Sequence, residues 1–120
     1  MPRFVILRHE PSPDSDRVLH WDLMLESGPV LHTWALSQEP TTGRTIDTEP
    51  LSDHRKAYLD YEGPVSGNRG HVRRWDHGTY EVESESADRL VVMFQGEKLH
   101  VTATLYADES DRWSVCFASG

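Results

Sequence analysis

The apolar residues of this 120-residue chain come in short runs broken by Gly, Pro, Asn and Asp. No stretch carries the 3.6-residue periodicity of a long amphipathic helix. Strand-length runs fall at residues 3–9, 19–25, 30–36, 71–76, 78–84, 90–95, 99–106 and 113–117. About eight short, evenly spaced strands specify an all-β protein, a sandwich or a barrel. Closure into a small antiparallel β-barrel removes the unpaired edges that such strands would otherwise expose. The length suits one domain over residues 1–120 with a single core, and four Trp and four Tyr supply bulk to fill it.

The connections predict where the chain turns. Residues 10–18, with two prolines and several turn formers, form a loop. Glu26-Ser27-Gly28-Pro29 joins two strands as a hairpin, and Asp76-His77-Gly78 and Gln95-Gly96-Glu97 read as tight turns. Residues 37–53 are polar and lack apolar periodicity, which predicts a long loop. Residues 53–61 fit either one helical turn or a short extended piece.

Chemistry concentrates in the second strand. Successive strand side chains point to opposite faces, so Trp21, Leu23 and Leu25 share one face and His20, Asp22 and Met24 the other. The first set is apolar and belongs in a core. The second places an imidazole and a carboxylate about 7 Å apart along the backbone. Such groups are the usual ligands of divalent metals, although most His-x-Asp pairs on strands are solvated polar faces. His9 closes the first apolar run, and His54 has Tyr58 four residues on.

The net charge of −8 argues against broad, sequence-independent nucleic-acid binding. The cations Arg55, Lys56, Arg69, Arg73 and Arg74 gather mid-chain, however, while carboxylates crowd the last third. That distribution accommodates a locally basic groove as well as a plain solvated surface. One cysteine, Cys116, excludes an internal disulfide and points to a reducing, cytoplasmic setting. No apolar run reaches the length of a membrane span, and the first apolar run is too short for a signal peptide.

Four ordered blocks resemble the 3′-phosphoesterase domain of bacterial ligase D. His9-Glu10, then His20-Trp21-Asp22-Leu23-Met24-Leu25-Glu26, are similar to the family's His-Asp and His-Tyr-Asp-x-Arg-Leu-Glu. Val30-Leu31-His32-Thr33-Trp34-Ala35-Leu36 is similar to its Val-Leu-x-Ser-Trp-Ala-Val. The third block, Ser52-Asp53-His54 through Tyr58 to Tyr61-Glu62-Gly63, resembles Glu-Asp-His-Pro-x-x-Tyr-x-x-Phe-Glu-Gly. The fourth, Gly70-His71-Val72-Arg73-Arg74-Trp75-Asp76-His77-Gly78-Thr79-Tyr80, resembles Gly-x-Val-x-x-Trp-Asp-x-Gly-x-Tyr.

The resemblance implies a small barrel with a groove beside it and a divalent metal, manganese most of all. It implies removal of 3′-phosphate or 3′-ribonucleotide from DNA ends in strand-break repair. By resemblance His9, His20 and Asp22 are metal ligands, His54 and Tyr58 contact the phosphate or donate protons, and Arg44 corresponds to a phosphate-binding arginine. The partners implied are a nucleic-acid 3′ end and a ligase or polymerase in trans, with the protein a monomer and no membrane involved.

Four departures stand out. Met24 occupies the place of the family's arginine, Gln38 that of a lysine and Glu10 that of an aspartate, and the spacer between His9 and His20 is longer. A second reading is therefore a weakened or inactive homologue that binds metal or a nucleic-acid end without turnover. A third treats the seven histidines as ordinary polar residues.

Overall fold

The computed structural model describes residues 1–119, almost entirely as antiparallel strands. They are β1 (Arg3–Glu10), β2 (His20–Ser27), β3 (Val30–Leu36), β4 (Thr45–Arg55), β5 (Gly63–Pro64), β6 (His71–Ser86), β7 (Arg89–Gly96), β8 (Val101–Ala107) and β9 (Trp113–Ser119). A single 3₁₀ turn, Lys56–Leu59, is the helical element among the described residues. The strand order is β1-β2-β3-β4-β9-β8-β7-β6, and β6 pairs back onto β1, so eight strands close into a ring. The two-residue β5 adds to the outside of β6.

Alternation builds two cores from one sheet. Phe4, Ile6, Trp21, Leu23, Leu25 and Phe94 point inward with residues from the opposite wall and fill the ring. Val5, Leu7 and Met24 point outward, yet they are also buried. The 3₁₀ turn and the segment after it lay Leu59 and Val65 over them, with Leu31 and Val72 beside them. This second cluster explains the uninterrupted apolar run Phe4–Leu7: both faces of β1 are covered, so both must be apolar.

Two stretches depart from the expectation drawn from the sequence. Residues 45–53, within the stretch expected as loop, belong instead to strand β4, which bridges β3 to β9 and completes the ring. Its inward side holds Ile46 and the small Thr48, whose hydroxyl donates to the Ala35 carbonyl at 2.9 Å. A strand with so little apolar surface leaves no periodicity to detect. Likewise, Asp76-His77-Gly78 is not a turn: β6 runs through it for 16 residues. Asp76 is buried and its carboxylate accepts backbone N–H groups of His77, Glu97, Lys98 and Leu99, pinning the β7–β8 turn from the neighbouring strand. Gly78 is needed for close approach, since a Cβ there would lie 2.0 Å from the Gln95 carbonyl oxygen. The actual β6–β7 hairpin turns at Ala87-Asp88. Turn residues in sequence are here cap and contact residues in space.

Candidate metal centre

The antiparallel register of β1 and β2 places His9 directly opposite His20 and Leu7 opposite Asp22. His9, His20 and Asp22 therefore share the outer wall, at the end of the Leu7–Met24 apolar shelf. Their ligand atoms lie within 4.8 Å of one another. His9 Nδ1 is 3.0 Å from Asp22 Oδ2, and His20 Nε2 is 3.2 Å from Asp22 Oδ1. The two rings approach to 4.6 Å between centroids.

Backbone carbonyls fix the tautomers. His20 Nδ1 meets the Val18 carbonyl at 3.0 Å, and His9 Nε2 meets the Arg69 carbonyl at 2.8 Å. A carbonyl only accepts, so these nitrogens carry the protons and donate them. In neutral rings the remaining nitrogens, His9 Nδ1 and His20 Nε2, are bare lone pairs aimed at the same carboxylate. Three acceptors converging without a donor require positive charge between them, either protons or a cation. Asp22 Oδ1 is buried and has no hydrogen-bond partner. The donor set, two imidazoles and one carboxylate, fits a divalent metal with coordination positions left open. The carbonyl tethers are the outer-shell contacts that orient histidine ligands.

The electrostatics agree. Burial pushes the Asp22 carboxyl up, but the neighbouring His20 and His9 rings, when protonated on the nitrogens that face it, outweigh burial and bring its pKa down to about 2. The Asp22 carboxylate, aided by the Arg69 carbonyl, raises His9 above its ordinary value despite burial and the Arg17 charge. Gly70 makes the tether possible: a Cβ there would stand 1.9 Å from the Glu10 carbonyl oxygen, so only glycine lets the Arg69 segment come up against β1.

A groove of about 180 Å³ opens over the cluster. His54 and Tyr58 line it together with His9, His20 and Asp22, so all five residues converge. His54 comes from the end of β4, where Nδ1 donates to the Ser52 carbonyl at 2.8 Å and leaves Nε2 for a ligand. Tyr58 comes from the 3₁₀ turn, with its ring edge-on to His54 at 5.8 Å. Arg44 does not line this groove; it lies just before β4. Arg17 and Arg69 line it instead, against the single carboxylate of Asp22, which makes the groove basic on an acidic protein. Arg69 belongs to the mid-chain cations visible in the sequence. Arg17 does not, and only the fold of the 10–18 loop brings it here. Met24 lines the groove floor with its side chain buried in the apolar shelf.

Fold and site define an all-β protein with a candidate divalent-metal centre on the outer wall of a closed sheet. The chain belongs to the family described as the DNA ligase D 3′-phosphoesterase domain, which matches residues 12–107. It is also similar to the multifunctional non-homologous end joining protein LigD of Pseudomonas aeruginosa, 26% identical over 119 residues. That alignment covers 94% of this chain but 13% of the larger protein, so the chain spans only a small part of its relative's length. No helix among the described residues is long and apolar enough to cross a membrane.

Proposed function

We propose that this protein is a metal-dependent phosphoesterase that processes 3′-phosphate or 3′-ribonucleotide ends of DNA in strand-break repair. The observation that carries this reading is the convergence of His9, His20 and Asp22 with His54 and Tyr58 in one basic groove. His9 Nδ1, His20 Nε2 and Asp22 would hold the ion, with manganese the family's expected metal. When bound, such an ion supplies Lewis acidity toward a phosphoryl oxygen and activation of water. The chain's own residues do the rest. With Nδ1–H held on the Ser52 carbonyl, His54 would donate from Nε2 as an imidazolium, and the Tyr58 hydroxyl would donate beside it, giving hydrogen bonds to a phosphoryl group or a proton to the leaving oxygen. Arg17 and Arg69 draw an anion into a groove on a molecule of net charge −8. Ligase or polymerase activity would come from partners in trans, acting on the 3′-hydroxyl this monomer produces.

The test is release of phosphate from a 3′-phosphorylated primer, stimulated by Mn²⁺. No release at high protein concentration, with Mn²⁺ shown to be bound, overturns the proposal.

The burial of Met24 favours a second reading, a homologue that binds metal or a DNA end with little or no turnover. Where the family resemblance places an arginine, this chain presents an apolar side chain 1% exposed. Losing one transition-state donor costs roughly 10²–10³ in rate. Activity that arises only in Met24→Arg would establish this reading, and a parent already active would exclude it.

A further inference from the structure

The groove over the metal cluster is too small for a nucleotide. Its volume of about 180 Å³ falls below the roughly 300–1,000 Å³ of pockets that enclose small molecules. A phosphoryl group fits there, and whatever carries it must lie outside. Two hollows share more than one lining residue with the groove. One, of about 260 Å³, leads from His20 past Arg17 to Asp47 and Glu49. Its two carboxylates against one guanidinium oppose a polyanion. The other, of about 430 Å³, shares Tyr58 and Val65 with the groove and adds Arg55, Tyr61 and Pro64. No carboxylate lines it.

Aromatic rings connect the groove to this second hollow. Tyr58 stands edge-on to His54, with centroids 5.8 Å apart, and edge-on to Tyr61, with centroids 5.7 Å apart. The Tyr61 hydroxyl donates to the Pro64 carbonyl, which fixes the ring, while the residue as a whole stays 36% exposed. Arg55 is exposed at the rim. A held aromatic ring that lines the same hollow as Arg55, next to a phosphate-sized groove, matches the chemistry of a nucleoside flanked by phosphates.

We propose that this hollow is the subsite for the terminal nucleoside of the substrate, its base lying against Tyr61 and the phosphate on its 5′ side meeting Arg55. The proposal rests on the phosphoesterase reading above and deepens it by saying which residues hold the nucleoside that carries the 3′-phosphate. Recognition through a ring face is tolerant of base identity.

The experiment compares wild type with Tyr61→Ala, Tyr61→Phe and Arg55→Ala in Mn²⁺. One readout is the ratio of kcat/KM for a 3′-phosphorylated oligodeoxynucleotide to that for p-nitrophenyl phosphate. The other is the affinity for the same oligonucleotide, fluorescently labelled, by anisotropy. Tyr61→Ala is expected to lower both by about 5- to 100-fold, and Tyr61→Phe to stay within about threefold of wild type. Arg55→Ala weakens binding and reduces the slope of log affinity against log salt by about one. Unchanged oligonucleotide affinity in Tyr61→Ala overturns the proposal. So do equal losses on both substrates with unchanged anisotropy, which would make Tyr61 a mere support for Tyr58. If neither substrate is turned over, the phosphoesterase reading fails, and the anisotropy still decides the subsite. If Tyr61→Ala does not fold, Arg55→Ala decides: unchanged affinity and salt slope overturn the proposal.

Discussion

His9 and His20 are register partners across the β1–β2 ladder, each tethered through one ring nitrogen to a backbone carbonyl and aiming the other at Asp22. Neither ring is free to turn away without giving up a hydrogen bond. The three acceptor atoms are thus held in place before any cation arrives, and the repulsion among them is built into the fold. This preorganisation is the physical basis of the metal assignment.

Removing a ligand should abolish tight metal binding while sparing the fold. His20→Ala and Asp22→Asn are expected to weaken Mn²⁺ affinity by more than the roughly 10–100-fold typical of an outer-shell contact. Titration calorimetry with Mn²⁺ reads this directly. Far-ultraviolet circular dichroism of the variants should match the parent.

The tether can be tested separately from the ligands. Gly70→Ala forces a methyl group to 1.9 Å from the Glu10 carbonyl oxygen at a backbone φ of +86°. It should displace the Arg69 carbonyl, leave His9 without its partner, and lower both stability and Mn²⁺ affinity. The stability loss is expected at about 1–3 kcal/mol, the cost of one strained backbone residue. Denaturant unfolding followed at the tryptophans measures it.

The pH dependence has two opposite signs. His9 is raised from 6.5 mainly by its hydrogen bond to Asp22. Without metal, its contribution to stability is therefore full below pH 6.5 and is lost as pH rises through the raised folded value. Asp22 is depressed to about 2, so its contribution is present above the unfolded carboxylate value near 4 and is lost as pH falls through about 2. Metal binding runs against the His9 trend, because the ion competes with the proton on Nδ1. Thermal melts from pH 6 to pH 9 should show that the increment in Tm produced by Mn²⁺ grows with pH. An increment that shrinks over that range would contradict the ligand assignment.

Asp76 is expected to matter to stability and not to metal. It is 1% exposed and accepts four backbone N–H groups. Asp76→Ala leaves three donors of the 97–99 segment unpaired and should cost about 3–5 kcal/mol. Guanidinium unfolding gives the value. Mn²⁺ affinity at low temperature, where the variant is folded, should equal that of the parent.

Met24 gives a stability contrast at the groove floor. Met24→Leu conserves volume and should cost less than about 1.5 kcal/mol. Met24→Arg places a charge into the shelf of Val5, Leu7, Leu31 and Leu59 and should cost more, unless its guanidinium reaches the groove. Comparing the two midpoints in urea, with and without inorganic phosphate, separates these outcomes. Phosphate should stabilise only the arginine variant beyond the parent if the guanidinium enters the groove.

The sequence by itself determined the strands and their faces. Alternation over residues 19–25 placed Trp21, Leu23 and Leu25 inside and His20 and Asp22 together outside, and residues 3–9 read as a strand. Those are local properties with a period of two, readable wherever apolar and polar residues alternate. Strand β4 was not legible because Ile46 and Thr48 are its main inward contacts. The unbroken β6 was not legible because Asp76 and Gly78 serve a neighbouring turn and strand.

Tertiary structure alone decided the rest. The register that sets His9 opposite His20, the closure of β6 onto β1, and the docking of the 3₁₀ turn that brings Tyr58 into one groove with His9, His20 and Asp22 all depend on residues from separate elements. It is also what exchanged Arg44 for Arg17 at the groove. A side chain's face is fixed by its immediate neighbours, but its partners across a closed sheet are fixed by which strands pair and by how many residues each is offset, and no short stretch of sequence contains that information.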